Sequence, residues 1–393
     1  MKHKVYYGEY SLSHWIDLIL SKNIILPEYQ RLFVWDKKQV LGFLNSIKQD
    51  NYVPPVTIGL YKVGNKTVNY ILDGQQRLTS IILSLFDIFP KKGSDVVKCF
   101  QAMNENDDEI SDEDLTSAQE WRFDRLTNLG NTYDEINDKI NDIYYERFDS
   151  GYTTGDYKNH FLGFSYIVPN VDNEKEQQSF YATIFRNINF RGSSLNVLES
   201  REALYFLDNS ITSFFKADIG QYYVISPMAK VPLDFVRYLA LLAQYHNTNP
   251  KSTDRLAAGY GSKKRIEEYY ETYIYSVVGN ENSDIFAKFE DIFLDRNFFG
   301  RIELLKSNLQ TLKWQQEYPS IIDIDLYMFG IIYEVVFLNH SIDERQRATI
   351  KKEIDSAIEI MKSKAGHKKS PAALKYLRER IEKSIEIYSK YAI

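Results

Sequence analysis

The stretch Leu72-Asp73-Gly74-Gln75-Gln76-Arg77-Leu78-Thr79 concentrates polar chemistry in a few residues. A β-prone run, Val68 to Leu72, stops at Asp73-Gly74, a pair suited to a tight turn. Beyond it Leu78, Ile81, Ile82, Leu85 and Phe89 recur at helical spacing. The pattern predicts a strand, a turn and a helix, with the polar groups gathered in the turn. A helix start carries unpaired backbone N–H groups and a partial positive charge, which suits a phosphate. Arg77 adds a planar, permanently charged fork for phosphate oxygens. Asp73 is placed to hold Mg²⁺ or to orient a water, with Gln76 and Arg77 beside it as candidate catalytic groups. The competing reading is a capped helix start in which Arg77 makes a structural salt bridge.

Two more polar, Arg-bearing stretches, Gln30-Arg31 and Asn189-Phe190-Arg191-Gly192, are predicted to lie in turns. Converging on one anionic ligand, Arg31, Arg77 and Arg191 would neutralise phosphates, and Gln30, Gln75 and Gln76 would hydrogen-bond to it. Gly74, Asn189 and Gly192 complete the candidate nucleotide-binding set, with Tyr29 or Trp35 stacked on a base. Core packing is the alternative for Trp35, and the stronger one for Phe33. Other chemistries find little footing. The six histidines show no triad or metal-ligand spacing, and there is no Walker-type phosphate loop. Asn339-His340 near Asp343 is similar to a fragment of a His-Asn-His nuclease, but the second His is absent.

The elements that must position these residues follow from periodicity and breakers. Ser11 or Ser13 can cap a helix bearing Leu12, Trp15, Ile16 and Ile19, and Asp36 opens a second with Val40, Leu41, Phe43, Leu44 and Ile47. Val56 to Val63 and Thr67 to Leu72 read as a hairpin turned at Gly64-Asn65. Phe161 to Pro169 reads as a strand, followed by a helix around Glu176 to Phe185. From about residue 205 the chain reads as helical: Leu233 to Tyr245, Ile266 to Val278, Ile285 to Phe298, Ile302 to Leu312, Ile321 to Leu338, Ile342 to Met361, and a last helix after Pro371. The organisation expected is α+β, with a domain over 1–205 and a mostly α-helical one over 206–393. The first is interrupted near 104–120, where eight acidic residues and no Lys or Arg point to a solvated loop.

At 393 residues and 44% hydrophobic the chain can bury a sizeable core. A formal charge of −6 argues against a protein that coats nucleic acid, although residues 345–393 hold thirteen Lys/Arg against six Asp/Glu. That basic tail is a candidate DNA or acidic-partner surface, with a solvated helix face as the favoured alternative. Cys99 is the only cysteine, so no intrachain disulfide forms and a reducing cytoplasm fits best. No signal peptide is read at the start, and the most apolar run, Leu326 to Leu338, is too short to span a bilayer.

Leu26-Pro27-Glu28-Tyr29-Gln30-Arg31-Leu32-Phe33-Val34-Trp35, followed about forty residues later by the Asp73-to-Thr79 box, resembles the GmrSD-type N-terminal domain family. Ile184 to Asn189 through Arg191-Gly192 and Leu195 is similar to that family's third block. The resemblance covers roughly residues 10–205. It implies a ParB/sulfiredoxin-like fold, with nucleotide binding and often hydrolysis at the Asp-Gly-Gln-Gln-Arg box, in bacterial systems that restrict modified or foreign DNA. Many members add a His-Asn-His-type nuclease domain whose pattern this C-terminal half lacks, which implies a separate nuclease partner. The function expected is therefore a Mg²⁺-dependent NTP-binding and NTP-hydrolysing component of an antiphage or restriction system. The alternatives are a DNA-binding or nicking protein acting through the ParB-like domain, and a non-catalytic nucleotide-sensing subunit.

Overall fold

The computed structural model describes residues 3–27, 33–63, 66–91, 98–100, 115–117, 124–140, 144–171, 173–191, 201–220, 222–226, 229–248, 250–256, 263–279, 283–294, 297–371 and 373–393. Tyr29, Gln30, Arg31, Gly192 and most of the acidic stretch 104–120 lie outside them. Contacts divide the chain into one unit of residues 1–97 with 117–195 and another of 98–116 with 196–393.

The first unit is built on β1 (Lys4–Ser11), α1 (Leu12–Leu20), β2 (Ile24–Ile25), α2 (Lys37–Lys48), β3 (Val56–Val63), β4 (Lys66–Asp73), α3 (Gln75–Leu85), β5 (Phe161–Val168) and α4 (Glu174–Arg191). The strands form one five-stranded sheet in the order β1-β5-β3-β4-β2. β3 and β4 are the expected antiparallel hairpin, whereas β5 joins β3 in parallel and β1 in antiparallel fashion. Local chemistry sets the helix starts. Ser11 Oγ accepts from His14 N at 3.2 Å. Asp36 and Gln39 form a reciprocal capping box, each side chain accepting from the other's backbone N–H at 2.8 and 2.9 Å.

Alternation along the strands divides their side chains between two cores. Ile58 and Ile71 join Trp15, Leu44, Leu78 and Ile82 of α1 to α3 on one side. Tyr61 and Leu72 meet Tyr181 of α4 on the other. Gly59 has no side chain because a Cβ there would run into the Tyr181 ring, whose hydroxyl donates to Leu60 O at 2.5 Å. α4 runs on through Arg191, so Asn189 and Arg191 lie in its last turn and not in a loop. The expected turn was read from polar composition, but the helical apolar spacing of Tyr181, Ile184, Phe185 and Ile188 carries the helix onward.

The second unit is largely helical: α5 (Phe235–Asn247), α6 (Lys263–Val278), α7 (Phe298–Leu312), α8 (Ile321–Ile332), α9 (Arg347–Ser363) and α10 (Leu374–Ser389). It also holds a small sheet of Tyr223–Ser226, Ala229–Pro232 and Glu317–Tyr318 that periodicity did not predict. Such short runs carry too few residues to declare a period. Two helices differ from expectation. Among the described residues of Ile285 to Phe298, one short helical turn forms before α7, at Phe289–Ile292, and Phe289, Phe293 and Phe298 converge edge-on upon Phe214. The run expected to end at Leu338 leaves α-geometry at Tyr333–Phe337, a π-helical turn. Arg301 serves the carbonyls there, donating to Val336 O and Phe337 O at 2.9 Å each. Among the described residues no helix is long and apolar enough to cross a membrane.

Buried charge holds this unit together. Asp325 is fully buried and receives two parallel bonds from Arg237, at 2.7 and 2.8 Å, a third from Tyr238 and a fourth from Arg380 Nε at 2.9 Å. Arg201, also fully buried, pairs with Asp234 at 2.6 Å and with Glu267 at 3.5 Å, and lies over the Tyr270 ring. Burial pushes the Glu267 carboxyl up to about 7, with Arg201 pulling the other way. The native state therefore holds the Glu267 proton more tightly than the unfolded chain, whose value is 4.5. The stabilisation from that protonation is complete below about pH 4.5 and is lost as pH rises through 7, on the order of 3 kcal/mol. Glu267→Gln is expected to flatten the stability profile between pH 4.5 and 7, read as the difference from wild type in denaturant melts. A difference that stays constant across that window would overturn the assignment.

The basic tail is partly engaged within the fold. Arg380 is buried on Asp325, Lys362 pairs with Asp323 at 2.6 Å, Lys364 with Glu379 at 2.9 Å and Lys390 with Glu353 at 3.0 Å. His340, singled out beside Asn339, hydrogen-bonds through Nδ1 to the carboxylate of the buried Glu334, whose Oε2 accepts at 2.9 Å.

Candidate functional site

β4 delivers the chain to Asp73, and Gly74 turns it. Gly74 sits at φ +95°, and a Cβ there would lie 2.9 Å from Val56 Cγ2 and 3.0 Å from Arg77 Nη2. Both the left-handed backbone and the crowding require glycine. The first bond of α3 runs from Leu78 N to Gly74 O at 3.0 Å. The N-cap residue Gly74 makes no side-chain cap to this helix, and a helix start carries the positive end of the helix dipole. Helix, turn and charge are thus set up as the residue pattern predicts.

Arg77 Nη2 donates to Asp73 Oδ2 at 2.7 Å and to Pro55 O at 3.2 Å. The structural salt bridge is therefore present, yet it leaves chemistry over. Arg77 is 14% exposed while Asp73 is 38% exposed, so the carboxylate faces outward with Oδ1 not given to the arginine. Arg77 Nε is buried and makes no hydrogen bond. Gln75 is only 4% exposed, and neither its Oε1 nor its Nε2 has a partner. Thr79, one turn along on the same helical face, buries an equally unpartnered Oγ1. A buried amide without partners costs roughly 1–3 kcal/mol per polar atom, and natural folds keep such groups rarely.

Gln76 has another duty. Its Oε1 accepts from Val34 N at 3.0 Å and from Trp35 N at 3.3 Å. The second motif thereby clamps the backbone of the first, and Ser80 Oγ donates to Gln76 O at 2.8 Å. Trp35 packs edge-on to Phe43, with ring centroids 5.6 Å apart, and belongs to the margin of the core. Phe33 is fully buried, against Phe89. Asn189 and Arg191 lie in helix α4, their side chains outside the described residues along with Tyr29, Gln30, Arg31 and Gly192. Among the described residues no cluster of three His, Cys, Asp or Glu could hold a metal ion.

Sequence reasoning missed what the sheet brings beside the turn. Thr57 lies opposite Asp73 in β3, and Ser165 of β5 lies opposite Thr57. Ser165 Oγ donates to Thr57 Oγ1 at 2.9 Å. Pro55 supplies the carbonyl that Arg77 holds. No motif flags these positions, because strand pairing alone makes them neighbours.

A mixed sheet that ends in a glycine-turned helix start, with a guarded arginine and an unpartnered amide, followed by a helical unit, defines an α+β protein with one polar site at a strand-to-helix junction. Residues 12–206 match the family described as GmrSD restriction endonuclease, N-terminal domain. Through this segment the chain belongs to the GmrSD-type N-terminal domain family. No curated protein and no solved structure matches the chain.

Proposed function

We propose that the first unit binds a nucleoside triphosphate at the start of α3 and hydrolyses it with Mg²⁺, as a component of a restriction system directed at foreign DNA. The observation that carries this is the Gln75 amide, 4% exposed and unpartnered at both polar atoms, beneath an uncapped helix start. A bound phosphate would accept from Gln75 Nε2, Arg77 and the opening turn of α3, giving the Gln75 amide a partner. The sheet with helices on both faces supports a ParB/sulfiredoxin-like fold for this unit.

The donor set fits Mg²⁺ in one way. A single carboxylate, Asp73, would hold the ion through the oxygen that Arg77 leaves, with phosphate oxygens and waters completing the shell, as this cation prefers. When bound, the ion would neutralise charge on the phosphates. Arg77 would orient the phosphates, Gln76 would hold the Val34-Trp35 backbone across the site, and Asp73 would be placed to direct a water. The family's description makes a nuclease the natural partner class, with the helical unit as the element that couples to it.

Equilibrium titration with the Mg²⁺ salts of all four ribonucleoside triphosphates, paired with phosphate release, tests the reading. Arg77→Ala is expected to weaken binding by about 10- to 100-fold, the scale of a charge-assisted bond. Asp73→Ala is expected to remove the dependence on Mg²⁺. Wild-type protein that neither binds nor turns over any of the four would overturn it.

A further inference from the structure

Tyr52 and Tyr7 are the two most exposed aromatic side chains among the described residues, at 86% and 79%, and Phe161 is 52% exposed. All three line one cleft of about 560 Å³. A single exposed ring needs no explanation, but three around one concavity mark a recognition surface. Pairing register shows how the cleft is made. Tyr7 lies opposite Ser165, Glu9 opposite Gly163 and Ser11 opposite Phe161, so these side chains leave the sheet on one face. The alternate residues Tyr10 and Phe164 point into the core, with ring centroids 4.4 Å apart.

The cleft adjoins the junction at Arg77. Pro55 lines it, and the Pro55 carbonyl accepts from Arg77 Nη2. Tyr7 pairs with Ser165 and Ser165 with Thr57 across β1, β5 and β3, and beyond a register shift between Thr57 and Ile58 the Thr57 position pairs with Asp73 of β4. Three strand spacings make that about 14 Å, a distance a nucleoside triphosphate lying across the strands can bridge.

We propose that this cleft receives the base of the nucleotide whose phosphates sit at Arg77, with Tyr7 and Tyr52 as its stacking faces. The inference rests on the nucleotide reading of the Asp73–Arg77 site and adds where the rest of the ligand goes. Electrostatics set its polarity. Glu9 and Asp50 line the aromatic end and repel phosphate, whereas Arg77 and the start of α3 attract it. An uncharged aromatic ring is the part of a nucleotide that tolerates the acidic end. Gly163, without a side chain on this face, leaves the sheet open for the ring to approach.

The experiment compares the four Mg²⁺–nucleoside triphosphates with inorganic tripolyphosphate, on wild type, Arg77→Ala and the double variant Tyr7→Ala/Tyr52→Ala. Stacking of one base on aromatic side chains predicts about a 10-fold or greater loss of nucleotide affinity in the double variant, with tripolyphosphate binding unchanged. Arg77→Ala is expected to weaken both ligands. Both tyrosines are exposed, so an unchanged melting temperature confirms that the variant folds. Nucleotide binding as tight as wild type in the double variant, or equal loss for tripolyphosphate, overturns the base cleft while the phosphate site stands. Wild-type protein that binds neither ligand overturns both.

Discussion

Gln75→Met is expected to raise the melting temperature of the ligand-free protein and to abolish the further rise that Mg²⁺–nucleotide produces. Methionine keeps the length and helix propensity of glutamine but has no amide to leave unpartnered. Both polar atoms of Gln75 are buried without partners. Removing them recovers about 1–2 kcal/mol, or roughly 2–6 °C for a domain of this size. A side chain that served packing alone would show the gain in stability and keep the ligand response. A side chain that serves the ligand shows the gain and loses the response, the usual conflict between stability and function at a binding site. Differential scanning calorimetry with and without Mg²⁺–nucleotide reads both quantities. A variant that melts earlier than wild type, or that keeps its full ligand shift, would remove Gln75 from the site.

Asp325→Asn is expected to be the most damaging conservative change in the helical unit. Burial alone would raise the Asp325 carboxyl, yet Arg237 and Arg380 outweigh it and hold the group below the usual carboxylate range. Asparagine fills the same volume but leaves two buried guanidinium groups facing a neutral amide. Breaking one side of a buried ion network in this way costs about 3–5 kcal/mol. Urea denaturation of the full chain, followed by a probe in the helical unit, measures the cost. By contrast Lys383 and Glu386, paired at 2.9 Å on the exposed face of α10, are expected to change stability by less than about 0.5 kcal/mol when separated. A loss at Asp325 no greater than that surface pair's would mean that the network does not carry the unit.

How much of this was legible beforehand differs by the kind of signal. The strand-turn-helix at Asp73–Arg77 was readable because its determinants are local: a β-prone run, a glycine that alone adopts φ +95°, and apolar residues at helical spacing. The caps at Ser11 and Asp36 were readable for the same reason. The third polar stretch misled, since polar residues at the end of α4 resemble a turn in composition while the helix continues. The aromatic run around Phe289 misled too, because a short apolar run does not say from how many directions it is packed.

Residue order alone therefore determined the polar junction, its glycine, its arginine and its family, since each depends on neighbours within a few positions of the chain. Only the tertiary structure decided that Gln76 clamps Val34 and Trp35, and that Gln75 is buried without a partner. It also paired Tyr7 with Ser165, Ser165 with Thr57 and Thr57 with Asp73. The physical reason is register. Strand pairing brings together residues about a hundred positions apart, and whether a polar atom finds a partner depends on every element packed around it.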